Sequence, residues 1–222
     1  MTRTTTNGLC LFCKATFSKQ AMTKHLASCE KRKALKGGSP QRVFLLLVEG
    51  LYAPQYWIHL EAAGNATLKN LDGFLRDLWL ECCGHLSMFN INGQTYSVSP
   101  MEEYDDEGMD VALGKILQPK MKFRHEYDFG TTTELILKVL AEREGIMKRS
   151  EIKLAARNEA PLFKCSECEE IATQICSQCV FDGNGFVCDD CAEDHECGEE
   201  MLLPVVNSPR MGMCGYTGVP YI

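Results

Sequence analysis

The stretch RVFLLLVEGLYAPQYWIHLE (42–61) decides the fold. It holds two apolar runs, Arg42 to Glu49 and Tyr56 to Glu61, split by a turn region from Gly50 to Pro54. Short runs rich in aliphatic and aromatic residues, bounded by Gly and Pro, read as strands. Downstream, Thr67 is a natural N-cap. Leu68, Leu71, Leu75, Leu78 and Cys82 follow at helical spacing, with Phe74 and Trp79 widening the apolar stripe. Gly84 ends that helix. Leu86 to Ile91 and Gln94 to Val98 flank Asn92-Gly93, a hairpin signal. After an acidic loop (102–107), Val111 to Leu117 reads as a short helix or turn stopped by Pro119. Met121 to Phe129 and Thr132 to Arg143 read as a hairpin around Gly130. The second of these alternates, with Leu135, Leu137 and Val139 on one face. Ser150 to Arg157 supplies one more strand. The sum is an α+β fold, a mostly antiparallel sheet curled around one main helix. It occupies 42–158, behind a Gly/Pro linker at 37–41.

The chain has 222 residues, 45% hydrophobic and 24% charged, an ordinary composition for a folded soluble protein. Its longest apolar run, Val43 to Val48, falls far short of the roughly 20 residues of a membrane helix. The N-terminus is Thr-rich and then basic, without an apolar secretion segment. A membrane-spanning or disordered chain is excluded on this reading, and a cytoplasmic location is expected. The anomaly is 13 cysteines, which come in clusters and not in the dispersed spacing of a disulfide framework. That pattern points to metal.

Residues 1–36 carry the first cluster, Cys10 and Cys13 followed by His25 and Cys29, a C2HC finger layout. The Cys-x2-Cys spacing bends the chain so both sulfurs face one ion, and His25 and Cys29 share a helical face. Residues 159–222 carry the second. The pairs Cys165/Cys168, Cys176/Cys179 and Cys188/Cys191 precede His195, Cys197 and Cys214. Two zinc ions fit there. In a cross-brace, Cys165, Cys168, Cys188 and Cys191 hold one, while Cys176, Cys179, His195 and one further cysteine hold the other. A sequential pairing is the alternative. Cys197 and Cys214 compete for the last place. Cys197 sits only two residues from His195, a cramped bite for one ion, so Cys214 is preferred. Three zinc ions are expected, each with four protein ligands, which is the mark of structural zinc; a catalytic zinc keeps a position open.

Net charge is −7, unevenly spread. Residues 1–36 carry eight Lys/Arg and one Glu, whereas 165–200 carry eleven Asp/Glu and no Lys/Arg. The basic end suits phosphate, with Lys14, Lys19, Lys24, Lys31, Arg32, Lys33 and Lys36 as contacts to nucleic acid or a ribonucleoprotein. The alternative is a protein–protein module acting through the acidic C-terminal end. The most enzyme-like local set is Cys82, Cys83 and His85, a thiol beside an imidazole. It is the weaker reading, because Cys82 falls on the apolar stripe and a packed thiol is inert. No P-loop, dinucleotide fingerprint or HExxH motif is present. The expectation is a non-enzymatic adaptor.

Three segments, FLLLVEGLYAPQYWIHLE (44–61), TLKNLDGFLRDLWLECCGHLSMFNINGQTY (67–96) and MKFRHEYDFGTTTELILKV (121–139), resemble the Ri-plasmid open-reading-frame-three-like domain. Relatives of that domain include the TnpR-like passenger proteins of some insertion elements. The segment PVVNSPRMGMCGYTG (204–218) resembles a tail of its zinc-bearing members. The resemblance implies an α+β fold and a mobile-element association, with no settled activity. The zinc modules at both ends depart from the minimal domain and imply an adaptor or recognition role.

Overall fold

The computed structural model describes residues 6–33, 38–101, 103 and 105–218. They form a mixed α/β structure with a large, mostly antiparallel sheet and few helices, divided into two compact units. The first unit comprises 1–75 and 86–159, and the second 76–85 and 160–222. These boundaries cut across those expected from sequence. The N-terminal finger belongs with the sheet, and the segment holding Cys82, Cys83 and His85 belongs with the C-terminal cysteines. Among the described residues, no helix is long and apolar enough to cross a membrane.

The first unit is built on β3 (Ser39–Gly50), which pairs antiparallel with β4 (Trp57–Ala63) on one side and β9 (Thr133–Met147) on the other. β3 and β4 are longer than the sequence pattern indicates. Val43 to Gly50 and the whole of β4 are buried, which is why both read as continuous apolar runs and not as alternating ones. β9 does alternate, buried at Leu135, Leu137 and Val139. β10 (Ile152–Asn158) pairs with β4. β8 (Lys122–Tyr127), β5 (Ser87–Ile91) and β6 (Gln94–Ser97) extend the opposite side. Asn92 and Gly93, at φ 54° and 89°, make the β5–β6 turn.

The main helix, α3 (Leu68–Leu75), is capped by the Thr67 hydroxyl, which accepts from the Asn70 N–H at 3.2 Å. His125 on β8 meets Asp72 of this helix at 2.7 Å, both side chains buried. The chain then leaves α-helical geometry for a π-turn at Arg76–Leu80, closed by Glu81 N–H donating to the Arg76 carbonyl. This single wide turn buries Leu78, Trp79 and Leu80 in succession, which a 3.6-residue stripe does not allow.

The N-terminal segment completes the sheet. β1 (Asn7–Cys10) pairs antiparallel with β10, with Cys10 opposite Ala156, and β2 (Thr16–Ser18) pairs outside it. Gly8 makes this docking possible. A Cβ there would stand 2.4 Å from the Trp57 ring and 2.5 Å from the Arg157 carbonyl. α1 (Lys19–Ser28) then lays Met22 and Leu26 against Leu45, Leu47, Trp57 and Ala155. Each such side chain contributes roughly 1.5–3 kcal/mol by burial. The N-terminal segment thus packs into the main core.

Two of its basic residues are drawn into the same contact. Lys19 bonds Glu49 at 2.6 Å, and Lys138 bonds the other oxygen of that carboxylate. Burial pushes Glu49 up, but Lys138 and Lys19 outweigh it and hold the carboxyl below its usual range. Arg32, on the short α2 (Glu30–Lys33), is 6% exposed and reaches Glu61 at 2.7 Å. Arg143 meets the same Glu61 oxygen at 2.6 Å. Lys19 and Arg32, expected as phosphate contacts, are thus engaged in ion pairs with the sheet. Lys14, Lys24 and Lys31 are exposed. Lys36 and the side chain of Lys33 lie outside the described residues.

In the second unit, β11 (Gln174–Cys176) is the centre of a three-stranded sheet between β12 (Phe186–Val187) and β13 (Leu202–Pro204). Phe163 stacks on Phe186 with ring centroids 4.2 Å apart.

Glu61→Gln leaves Arg32 buried without its counter-charge. It should cost about 3–5 kcal/mol in urea unfolding, whereas Arg143→Gln, at a partly exposed partner, should cost under about 1 kcal/mol.

Candidate metal centres

Each cysteine cluster is shaped by a tight turn. Between Cys10 and Cys13 the chain folds back so that Lys14 N–H donates to the Cys10 carbonyl, with Lys14 at φ 65°. His25 sits in the last turn of α1, its ring stacked on Phe17 at 4.3 Å, and Cys29 follows as the C-cap. Cys13 Sγ lies 3.2 Å from His25 Nε2. Cys10, Cys13, His25 and Cys29 therefore form one group, as their spacing indicates.

In the second unit the pairs cross. Cys165 and Cys168 group with Cys188 and Cys191, and Cys176 and Cys179 group with His195 and Cys197. Cys188 is the N-cap of α5 (Asp189–Ala192), which carries Cys191 round to the same point. Cys168 Sγ stands 3.7 Å from Cys188 and 3.8 Å from Cys191. Burial pushes the Cys165 thiol up, but backbone N–H groups of Cys188, Glu167 and Cys168 overcome it and bring the thiol down to about 6. Cys176 is likewise about 6, with N–H groups of Cys179 and Gln178 opposing burial. Cys191 is raised by its sulfur neighbours Cys188, Cys165 and Cys168. Without a cation, a cluster of four thiols resists ionising together; a divalent ion relieves that repulsion.

The preference for Cys214 over Cys197 is corrected here. Cys197 joins the His195 group, 3.5 Å from Cys179 Sγ, and His195 Nε2 is 3.7 Å from the same sulfur. The two-residue bite is not cramped, for two reasons. The imidazole reaches out through its far nitrogen. The chain turns between the ligands, with Gly198 N–H donating to the His195 carbonyl and Gly198 at φ 83°.

Cys214 lies elsewhere, in a fourth group with Cys82, Cys83 and His85. Cys83 Sγ is 3.0 Å from His85 Nε2 and 3.8 Å from both Cys82 and Cys214; His85 Nε2 is 3.2 Å from Cys214. Sequence reading sets these residues aside as a weak enzyme candidate. The available signal is the total. Thirteen cysteines with His25, His85 and His195 fill four sets of four without remainder.

The spacings fit a metal. A zinc–sulfur bond of about 2.3 Å places two sulfurs of a tetrahedron about 3.8 Å apart, close to the 3.5–3.8 Å found between cysteines here. A disulfide would need about 2.05 Å, and all thirteen cysteines are free.

No protein-family model and no curated protein matches the chain. A solved structure of a protein of unknown function from Methanosarcina mazei Go1 is similar to it at 14% identity and a TM-score of 0.46, over 53% of this chain and 69% of that one.

Cys197→Ser should remove one metal ion per chain and leave Cys165, Cys168, Cys188 and Cys191 loaded. Native mass spectrometry of the variant, with thiol-alkylation mapping, checks both. Retention of the full metal content would reject Cys197 as a ligand.

Proposed function

We propose that the protein is a zinc-assembled, non-catalytic recognition protein, with structural zinc in its Cys/His groups and a working surface on the acidic second unit. The observation that carries this reading is the complete use of ligands: every cysteine falls in a set of four. Four protein ligands leave no position for water or substrate, and mixed thiolate and imidazole sets suit zinc. Thirteen free thiols suit a reducing, cytoplasmic compartment. An enzyme built on Cys83 is disfavoured. Its sulfur falls in a set of four ligands with Cys82, His85 and Cys214, which leaves it no free role as a nucleophile. Family membership with the Ri-plasmid open-reading-frame-three-like proteins belongs to this proposal, supported by the three quoted segments.

The partner is a basic protein segment. All eleven carboxylates between 165 and 200 are exposed, with Phe181 and Ile171 exposed among them. Zinc deepens the charge. Thirteen thiolates against eight charges from four ions take the net −7 to −12. The rival reading, nucleic acid on the finger, keeps Lys14, Lys24 and Lys31, but Lys19 and Arg32 are committed to Glu49 and Glu61.

The test is fluorescence anisotropy of the zinc-loaded chain against a Lys/Arg-rich peptide, an acidic peptide, and mixed-sequence DNA and RNA at rising salt. Only the basic peptide should bind, and Glu193→Lys/Glu196→Lys should weaken it by roughly tenfold. Binding of nucleic acid with a steep salt dependence, and no peptide binding, would transfer the role to the finger.

A further inference from the structure

The fourth group differs from the other three in ways that bear on what it does. Each of the others has at least one buried cysteine: Cys10 and Cys29, Cys165 and Cys188, or Cys176. The fourth has none. Cys83 and Cys214 are exposed, and Cys82 is half-buried. The others use Cys-x2-Cys turns, which pre-form half a site locally. The fourth uses adjacent cysteines and a ligand about 130 residues away along the chain.

Arg210 is completely buried, with Nη2 donating to Cys82 Sγ at 3.5 Å. A hydrogen bond from a charged guanidinium favours the thiolate, the form that ligates a metal.

We propose that Cys82, Cys83, His85 and Cys214 form an exchangeable zinc site, a clasp that fastens residues 205–218 to the 76–85 turn while the other three ions stay in place. This rests on the zinc reading above. Zinc leaves a thiolate site by associative attack, in which an incoming ligand must reach the ion. Each of the other three sites has at least one buried cysteine to limit that approach, and the fourth, among the described residues, has none. The clasp acts on a defined segment. Ser208 Oγ donates to the Trp79 carbonyl at 2.7 Å and accepts from Arg210 N–H at 2.9 Å, and Tyr216 is buried close behind. The ion adds a further fastening to those contacts, and its loss loosens the segment.

The experiment uses the full, zinc-loaded chain and the chromogenic chelator 4-(2-pyridylazo)resorcinol. One equivalent of zinc should be released in a separate phase, roughly tenfold faster than the other three. Iodoacetamide added at the end of that phase should label Cys82, Cys83 and Cys214 alone by peptide mass mapping. Limited proteolysis should then cut within 205–218. Cys214→Ser should bind three zinc ions and lack the fast phase. Release of four equivalents in one phase, or early labelling of any other cysteine, overturns the clasp. Three ions in the unmodified protein reject the fourth site but leave the structural-zinc reading intact. No zinc at all rejects both. The chelator and labelling readouts need no variant, so a misfolded Cys214→Ser does not decide the matter.

Discussion

The ladder between β3 and β9 is the constraint on which the first unit depends. It runs the full length of β3, from Ser39 opposite Met147 to Gly50 opposite Leu135. Because β3 also pairs with β4, its central residues are buried and its hydrogen bonds are satisfied on both sides. One strand with two committed neighbours fixes the register of both, and a slip of the alternating β9 by one residue would turn Leu135, Leu137 and Val139 to the wrong face. β10 takes its register from β4, and β1 from β10. The turn at Cys10 is therefore the last link in a chain of registers that starts at β3.

This arrangement changes the meaning of the N-terminal charge. Eight basic residues within the first 36 look like an open phosphate surface. A sequence, however, contains no information on which cations face inward. Glu49 and Glu61 lie on β3 and β4, in runs that read as apolar strands, and they are there to receive Lys19, Lys138, Arg32 and Arg143. A buried carboxylate in a strand is costly unless paired. The glutamates that end RVFLLLVE and YWIHLE were thus a hint that cations would be drawn to the sheet.

Legibility followed range. Strands, the Asn92-Gly93 turn and the Thr67 cap depend on a few neighbouring residues, and the structure has them where the pattern places them. The Cys-x2-Cys pairs were legible for the same reason. The crosswise grouping was left open, because it depends on how β11 and β12 meet. The fourth group was not legible by spacing, since Cys214 reaches it across the whole fold. The π-turn was hidden as well. Its extra residue looks like an ordinary continuation of the Leu68–Leu78 stripe, and Cys82 then looks like core when it falls in the fourth group.

The seating of β1 against β10 has a consequence for synthesis. Residues 7–29 leave the ribosome before the strand that β1 pairs with, which follows about 150 residues later, on the order of ten seconds at ordinary elongation rates. Until then Met22, Leu26 and the edge of β1 have no sheet to rest on. Cys10, Cys13, His25 and Cys29 all emerge together, long before Ala156. An ion captured there would give the nascent end a shape during that interval, and would shield an unpaired strand from joining a neighbouring chain.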